Sequence, residues 1–197
     1  MNETTDEALM RAYQAGDSAA MNQIFEHNKV RILNFCIGLL GSRADAEEVA
    51  AEVFFALVKY KDTYQSPRTV STWIFTIARN LCLNRIRERR RTVTVWFASK
   101  DHGSTQADDS WDVADDHTEH SRDRLVNQER IHAVRQAIAG LPIEQREAIV
   151  LKQYHGFSYE EISHILHCSL AKVKVLIFRA KLNMKNKLAV YLGEAQS

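Results

Sequence analysis

The sequence is poor in residues that interrupt helices. Its 197 positions hold two Pro and seven Gly, too few for a turn-rich all-β protein. Cysteine is scarce as well: Cys36, Cys82 and Cys168 show no CxxC spacing, which excludes a disulfide scaffold and fits a reducing compartment. No apolar run approaches the roughly 18 to 20 residues of a membrane span. The acidic start MNETTDEALM is no signal peptide, so neither secretion nor membrane insertion is expected and the chain reads as cytoplasmic. A Gly-rich phosphate loop, a nucleophile elbow, paired catalytic carboxylates and an HExxH motif are all missing. His164, His167 and Cys168 have helical ligand spacing, with His117 and His120 in reach of the same group. They fall at a turn where metal has no evident task. No catalytic residue, metal or cofactor is therefore expected.

What is present is an ordinary globular composition, 45% hydrophobic and 26% charged. The net charge of +1 hides a segregation. Residues 1–91 carry a net +2, residues 92–124 a net −5 and residues 125–197 a net +4. The acidic middle, rich in Asp, Ser and Thr around Trp111 and Val113, lacks sustained apolar periodicity and reads as a flexible linker. The architecture expected is all-α, two small helical domains over 1–94 and 125–197 joined by an acidic linker over 95–124.

Each lobe parses as four helices. In the first, Thr4 or Thr5 caps a helix that ends near Gly16, and Asp17 or Ser18 opens a second that runs to Leu40. Gly41 and Ser42 precede a third, about Arg43 to Tyr60, with Phe54, Leu57 and Val58 on its core side. After the loop holding Pro67, a fourth runs from Ser71 or Thr72 to about Arg91. In the second lobe a helix stops at Gly140, Pro142 opens the next, and Ser158 with Glu161 has capping-box spacing. A turn at Cys168 and Ser169 leads into a last helix reaching about Tyr191. The final pair reads as a helix-turn-helix whose second member is a DNA-recognition helix.

Three helix faces carry functional chemistry. On the third helix, Asp45, Glu48 and Glu52 share a face without basic partners at i+4. Such a stripe invites a basic protein surface, while an acid in a first turn also simply complements the helix dipole. On the fourth, Trp73, Thr76, Asn80, Asn84, Arg87 and Arg91 fall within about 80° of one another. Rings stack on bases, amides read edges and guanidinium groups pair with phosphates. On the last, Phe178 stands among Lys172, Lys174, Arg179 and Lys181, away from the arc of Val173, Ile177 and Ala180. A ring against a thymine methyl or sugar, with cations on phosphates, suits DNA.

With these residues in place, the chain resembles the extracytoplasmic-function sigma factors of the sigma-70 family, small bacterial sigma factors that keep regions two and four. AGDSAAMNQIFEHNKVRILNFCIGLLGSRADAEEVAAEVF resembles the start of region two, STWIFTIARNLCLNRIRERRR its promoter-melting helix, and LPIEQREAIVLKQYHGFSYEEISHILHCSLAKVKVLIFRAK region four. The resemblance implies an alternative sigma factor, not an enzyme, that binds core RNA polymerase at the clamp coiled coil of the largest subunit and the flap of the second. It implies promoter DNA as the second partner.

It assigns Asp45, Glu47, Glu48 and Glu52 to polymerase docking. The loop from Thr63 to Ser71, with Asn80 and Asn84, falls to the minus-ten element, and Trp73, Thr76 and Arg87 of the same helix stripe are candidates beside them. Lys172, Lys174, Phe178, Arg179 and Lys181 fall to the minus-thirty-five element, with Ser169 at the helix start a further candidate. The chain departs from the usual pattern at Ala51, where Gln is common, at Val175 and Leu176, where Ser and Arg are common, and at His167, where Gly is common.

Control by an anti-sigma factor or by a Ser/Thr kinase stays open. For the latter the candidate is Thr63, where a phosphate of about −1.5 to −2 charges would offset Lys59 and Lys61. Two other function classes compete: a stand-alone helix-turn-helix regulator, which leaves the first-lobe stripes unexplained, and a helical adaptor, which needs no Phe178 among lysines.

Overall fold

The computed structural model describes residues 5–65, 68–97 and 121–194, with side chains placed over 5–65, 68–91 and 128–189. The chain divides between Ser110 and Trp111 into two compact units. Every described element is helical, eight α-helices and one short 3-10 turn.

The first unit holds α1 (Asp6–Gln14), α2 (Ser18–Leu40), α3 (Arg43–Tyr60), the 3-10 turn Lys61–Thr63 and α4 (Val70–Phe97). Three starts are set by side-chain caps: Thr5 accepts from the Ala8 amide, Asp17 from Ala19 and Ser42 from Asp45. Each satisfies one of the amides a helix start leaves unpaired. Gly41 closes α2 in the left-handed region at φ 68°, which glycine adopts without steric cost. The core interleaves Ile24, Ile32, Phe35 and Leu39 of α2 with Val49, Val53 and Leu57 of α3 and Ile74, Phe75 and Cys82 of α4. Phe35 meets Phe75 edge to face at 5.2 Å. Burying each large side chain contributes about 1.5–3 kcal/mol.

The expected inventory of α3 needs one correction. Val58 is exposed, because the buried stripe Ala46–Val49–Val53–Leu57 turns it roughly 100° off the core. Helix α4 also continues past Arg91 to Phe97; no Gly or Pro intervenes to stop it.

The second unit holds α5 (Ser121–Ala139), α6 (Ile143–Tyr154), α7 (Tyr159–Leu166) and α8 (Leu170–Glu194). Helix α8 packs against the other three. Ile138, Leu151, Ile162, Val173 and Ala180 are fully buried. Arg146 donates to the carbonyls of Ala139 and Leu141, capping the end of α5. Pro142 precedes α6, and its carbonyl accepts from the amides of Gln145 and Arg146. The capping box is complete: Ser158 Oγ accepts from the Glu161 amide at 3.1 Å, and Glu161 Oε2 accepts from the Ser158 amide at 2.8 Å. Helix α7 ends at His167 in the left-handed region, φ 51° and ψ 48°. There the Cys168 amide reaches back to the Ser163 carbonyl at 3.0 Å.

Candidate functional site

The acidic face of α3 begins one turn beyond the Ser42 cap, and it is paired. Arg85 of α4 reaches across to all three stripe carboxylates. Its Nη1 donates to Glu48 Oε2 at 2.7 Å and to Asp45 Oδ1 at 3.3 Å, and its Nη2 to Glu52 Oε1 at 3.3 Å. Arg89 pairs with the second Asp45 oxygen. The hydrogen bond to Glu48 holds the Arg85 guanidinium above its usual pKa. Reasoning from i+4 spacing sees only a helix's own partners, so sequence reading missed Arg85, which lies on the next helix.

The pairing also sorts the carboxylates. The Asp45 side chain is 16% exposed and serves as a bolt between α3 and α4, whereas Glu48 and Glu52 remain 64% and 51% exposed. Glu47 stands apart, bound to Arg43 at 2.9 Å. Phe55, three residues beyond Glu52, is exposed beside this face; its i+7 spacing from Glu48 is the signal that could have found it.

The loop leading into α4 is braced from α1. Gln14 Nε2 donates to the carbonyls of Lys61 at 2.7 Å and Tyr64 at 3.2 Å. Glu7 Oε1 accepts from the Val70 amide at 3.1 Å. Tyr64 is buried, donates its hydroxyl to the Arg68 carbonyl at 2.6 Å and lies 5.5 Å from the Trp73 ring. Burial raises the pKa of this phenol. Trp73 and Thr76 are half-buried. The Thr76 hydroxyl donates to the Thr72 carbonyl at 2.8 Å, which commits it to its own helix.

Asn80, Asn84 and Arg87 are exposed on the side of α4 that the spacing indicates. Arg87 Nη1 donates to Asn84 Oδ1 at 3.0 Å. Thr63 is exposed and donates to the Tyr60 carbonyl at 2.7 Å. Of the two lysines beside it, Lys61 turns to α1, 4.6 Å from the Tyr13 ring centre, and Lys59 lies 5.2 Å from that of Tyr60.

Just before α8, Ser169 Oγ accepts from the Lys172 amide at 3.2 Å. Lys172 Nζ pairs with Glu144 of α6 at 2.7 Å, and that bond raises its pKa. Lys174, Arg179 and Lys181 are exposed. Phe178 is 69% exposed, with Val175 at 46% and Leu182 at 48% on the same side. Leu176, in contrast, is buried and belongs to the core.

Among the described residues, no group of three or more His, Cys, Asp or Glu is placed to hold a metal ion; His117 and His120 lie outside them. No helix among the described residues is long and apolar enough to cross a membrane.

Comparison with known proteins meets the same residues. Residues 24–92 match the family model Sigma-70 region 2, and residues 131–184 match Sigma-70, region 4. The ECF RNA polymerase sigma factor SigW of Bacillus subtilis is 29% identical over 181 residues, covering 91% of this chain and 94% of that one. The RNA polymerase sigma-H factor of Pseudomonas aeruginosa is 26% identical over 199 residues, covering 99% and 100%. The fold is shared with CnrH, solved in complex with the cytosolic domain of CnrY, at a TM-score of 0.68 and 19% identity over 95% of this chain and 99% of that one. It is also shared with the sigma factor RpoE of Bartonella quintana, solved with the anti-sigma factor NepR, at 0.66 and 23% over 86% and 96%.

Proposed function

From the premise that this chain belongs to the extracytoplasmic-function sigma factors of the sigma-70 family, we propose that it is the promoter-specificity subunit of a bacterial RNA polymerase and is not itself an enzyme. Residues 1–94 dock on core polymerase and open the minus-ten element, 95–124 connect, and 125–197 read the minus-thirty-five element.

One observation carries the division of labour. A single four-helix unit exposes carboxylates at Glu48 and Glu52 on α3, and amides with a guanidinium at Asn80, Asn84 and Arg87 on α4. The first face suits a basic protein surface and the second suits nucleic acid. A DNA-binding regulator that works alone needs only α8 and leaves both faces idle. Trp73 and Thr76 act in this reading from behind, shaping the loop and the helix start, while the two asparagines and Arg87 meet the strand.

An anti-sigma protein is the regulatory partner we propose, on the precedent of the solved RpoE complex. Thr63 stays a candidate modification site, with Lys59 and Lys61 the cations for a phosphate to offset.

Run-off transcription on sheared genomic DNA tests the function. Core polymerase with the full chain should start at discrete sites that core alone does not use. If instead the chain alone retards particular fragments and adds no start sites with core, the stand-alone regulator is correct.

A further inference from the structure

The outermost line of α8 is apolar, which a solvated helix face does not favour. The buried residues Val173, Leu176, Ile177 and Ala180 define the inward side. At about 100° per residue, the row Ala171, Val175, Phe178 and Leu182 lies within a 60° arc centred opposite that side. All four are exposed. Cations flank the row on both sides: Lys174 and Lys181 at about 70–90° one way, Lys172 and Arg179 at about 70–90° the other.

This cross-section matches one kind of surface. The major groove admits an α-helix between two phosphate walls, and the thymine 5-methyl is the apolar group that base pairs present on its floor. A second copy of the chain fits poorly, because each row would bring its own flanking cations against the other's. From Val175 to Leu182 the helix advances about 10.5 Å, close to three base-pair steps. The N-terminal half of a recognition helix is the part that meets base edges. That places Val175 and Phe178 over the floor and Leu182 near the groove's exit.

We propose that Val175 and Phe178 are specificity-determining residues that select A·T pairs in the upstream element by packing on thymine methyl groups, with the four flanking cations setting the helix between the phosphate walls. The proposal rests on the reading that α8 enters promoter DNA and names what it selects there. Lys172 makes its phosphate contact at the cost of its bond to Glu144, so it is the weakest of the four.

The test begins with selection of upstream sequences from a randomised library, using the full chain bound to core polymerase. Thymidines in the selected element are then replaced one at a time by deoxyuridine, which removes only the methyl. At one or two positions, binding in competition titrations should fall about fourfold for each packed methyl lost. The same replacement should cost nothing further in Val175→Ala or Phe178→Ala, both exposed positions that leave the fold intact.

Tight, selective binding that ignores every deoxyuridine overturns the methyl proposal while leaving the promoter-reading function in place. So does a deoxyuridine loss that persists unchanged in both variants. If nothing upstream is selected at all, the reading that α8 enters promoter DNA fails, and the proposal with it.

Discussion

The two units handle charge in opposite ways. In the first, the acidic face of α3 is already answered from within: Arg85 binds Asp45, Glu48 and Glu52, and Arg89 joins at Asp45. In the second, Lys174, Arg179 and Lys181 stand exposed around an apolar row, and Lys172 pairs with Glu144 of α6. A surface paired in advance offers a partner fixed geometry and a small net field. A surface of exposed cations offers attraction over a distance but little alignment, and salt screens it. Docking on a protein needs the first, and holding DNA of many sequences while searching for one needs the second.

Breaking the first unit's face should have the largest effect. Reversing Glu48 and Glu52 to Lys sets two new cations beside Arg85 and Arg89, and core affinity should fall by about tenfold or more in a low-salt titration. An unchanged affinity would show that the acidic face is not the docking site.

The next contrast separates the units by step. Asn80→Ala should slow promoter opening, read by permanganate reactivity of unpaired thymines, and spare upstream binding. Phe178→Ala and Arg179→Ala should weaken upstream binding by about 1–3 kcal/mol each if they touch base edges, with opening normal once bound. The reverse pattern would exchange the roles assigned to the two units.

Arg85→Ala probes the pairing itself. The bridge is partly solvent-exposed, so the loss of stability should be about 1 kcal/mol in thermal unfolding. The face gains one net negative charge, and association with core should become faster by a few-fold at low salt. A slower association would mean that Arg85 orients Glu48 and Glu52 for the partner and does not compete with it.

The smallest effect is expected at the turn of the second unit. His167 holds φ 51° where a side chain is disfavoured, so His167→Gly should stabilise that unit by up to about 1 kcal/mol and leave DNA binding unchanged. A lower melting temperature would show that the imidazole contributes more than its backbone costs.

Much of this was legible in sequence because it is local. Caps at Thr5, Asp17, Ser42 and Ser158 and the stop at Gly41 announce helix ends within four residues of where they act. The exposure of Asn80, Asn84 and Phe178 follows from the 3.6-residue period.

What was hidden depends on a second helix. Arg85 reads as one cation of a basic helix end, and only the packing of α4 on α3 turns it into the hub of the acidic face. Val58 looks like core beside Phe54 and Leu57, until α2 and α4 settle which side of α3 is covered. Leu176, where the resemblance places a residue that reads DNA, instead lies on the inward arc with Val173, Ile177 and Ala180. The residues expected to link the two units lie mostly in 98–120, outside those described.

The brace on the loop before α4 has a consequence for how the first unit breathes. Gln14 holds the turn at Lys61 and Tyr64, Glu7 holds the first amide of α4, and Asp6 binds Asn28 and His27 of α2. One nine-residue helix thus fastens α2, the turn after α3 and the start of α4. Local opening usually recruits whatever shares the same bonds, so release of the contacts at Lys61, Tyr64 and Val70 is expected to accompany lifting of α1. In the proposed role, where this region receives a single-stranded base, part of the ordering entropy would already have been spent at folding. Amide exchange should find the Val70 amide and the amides of α1 opening as one unit.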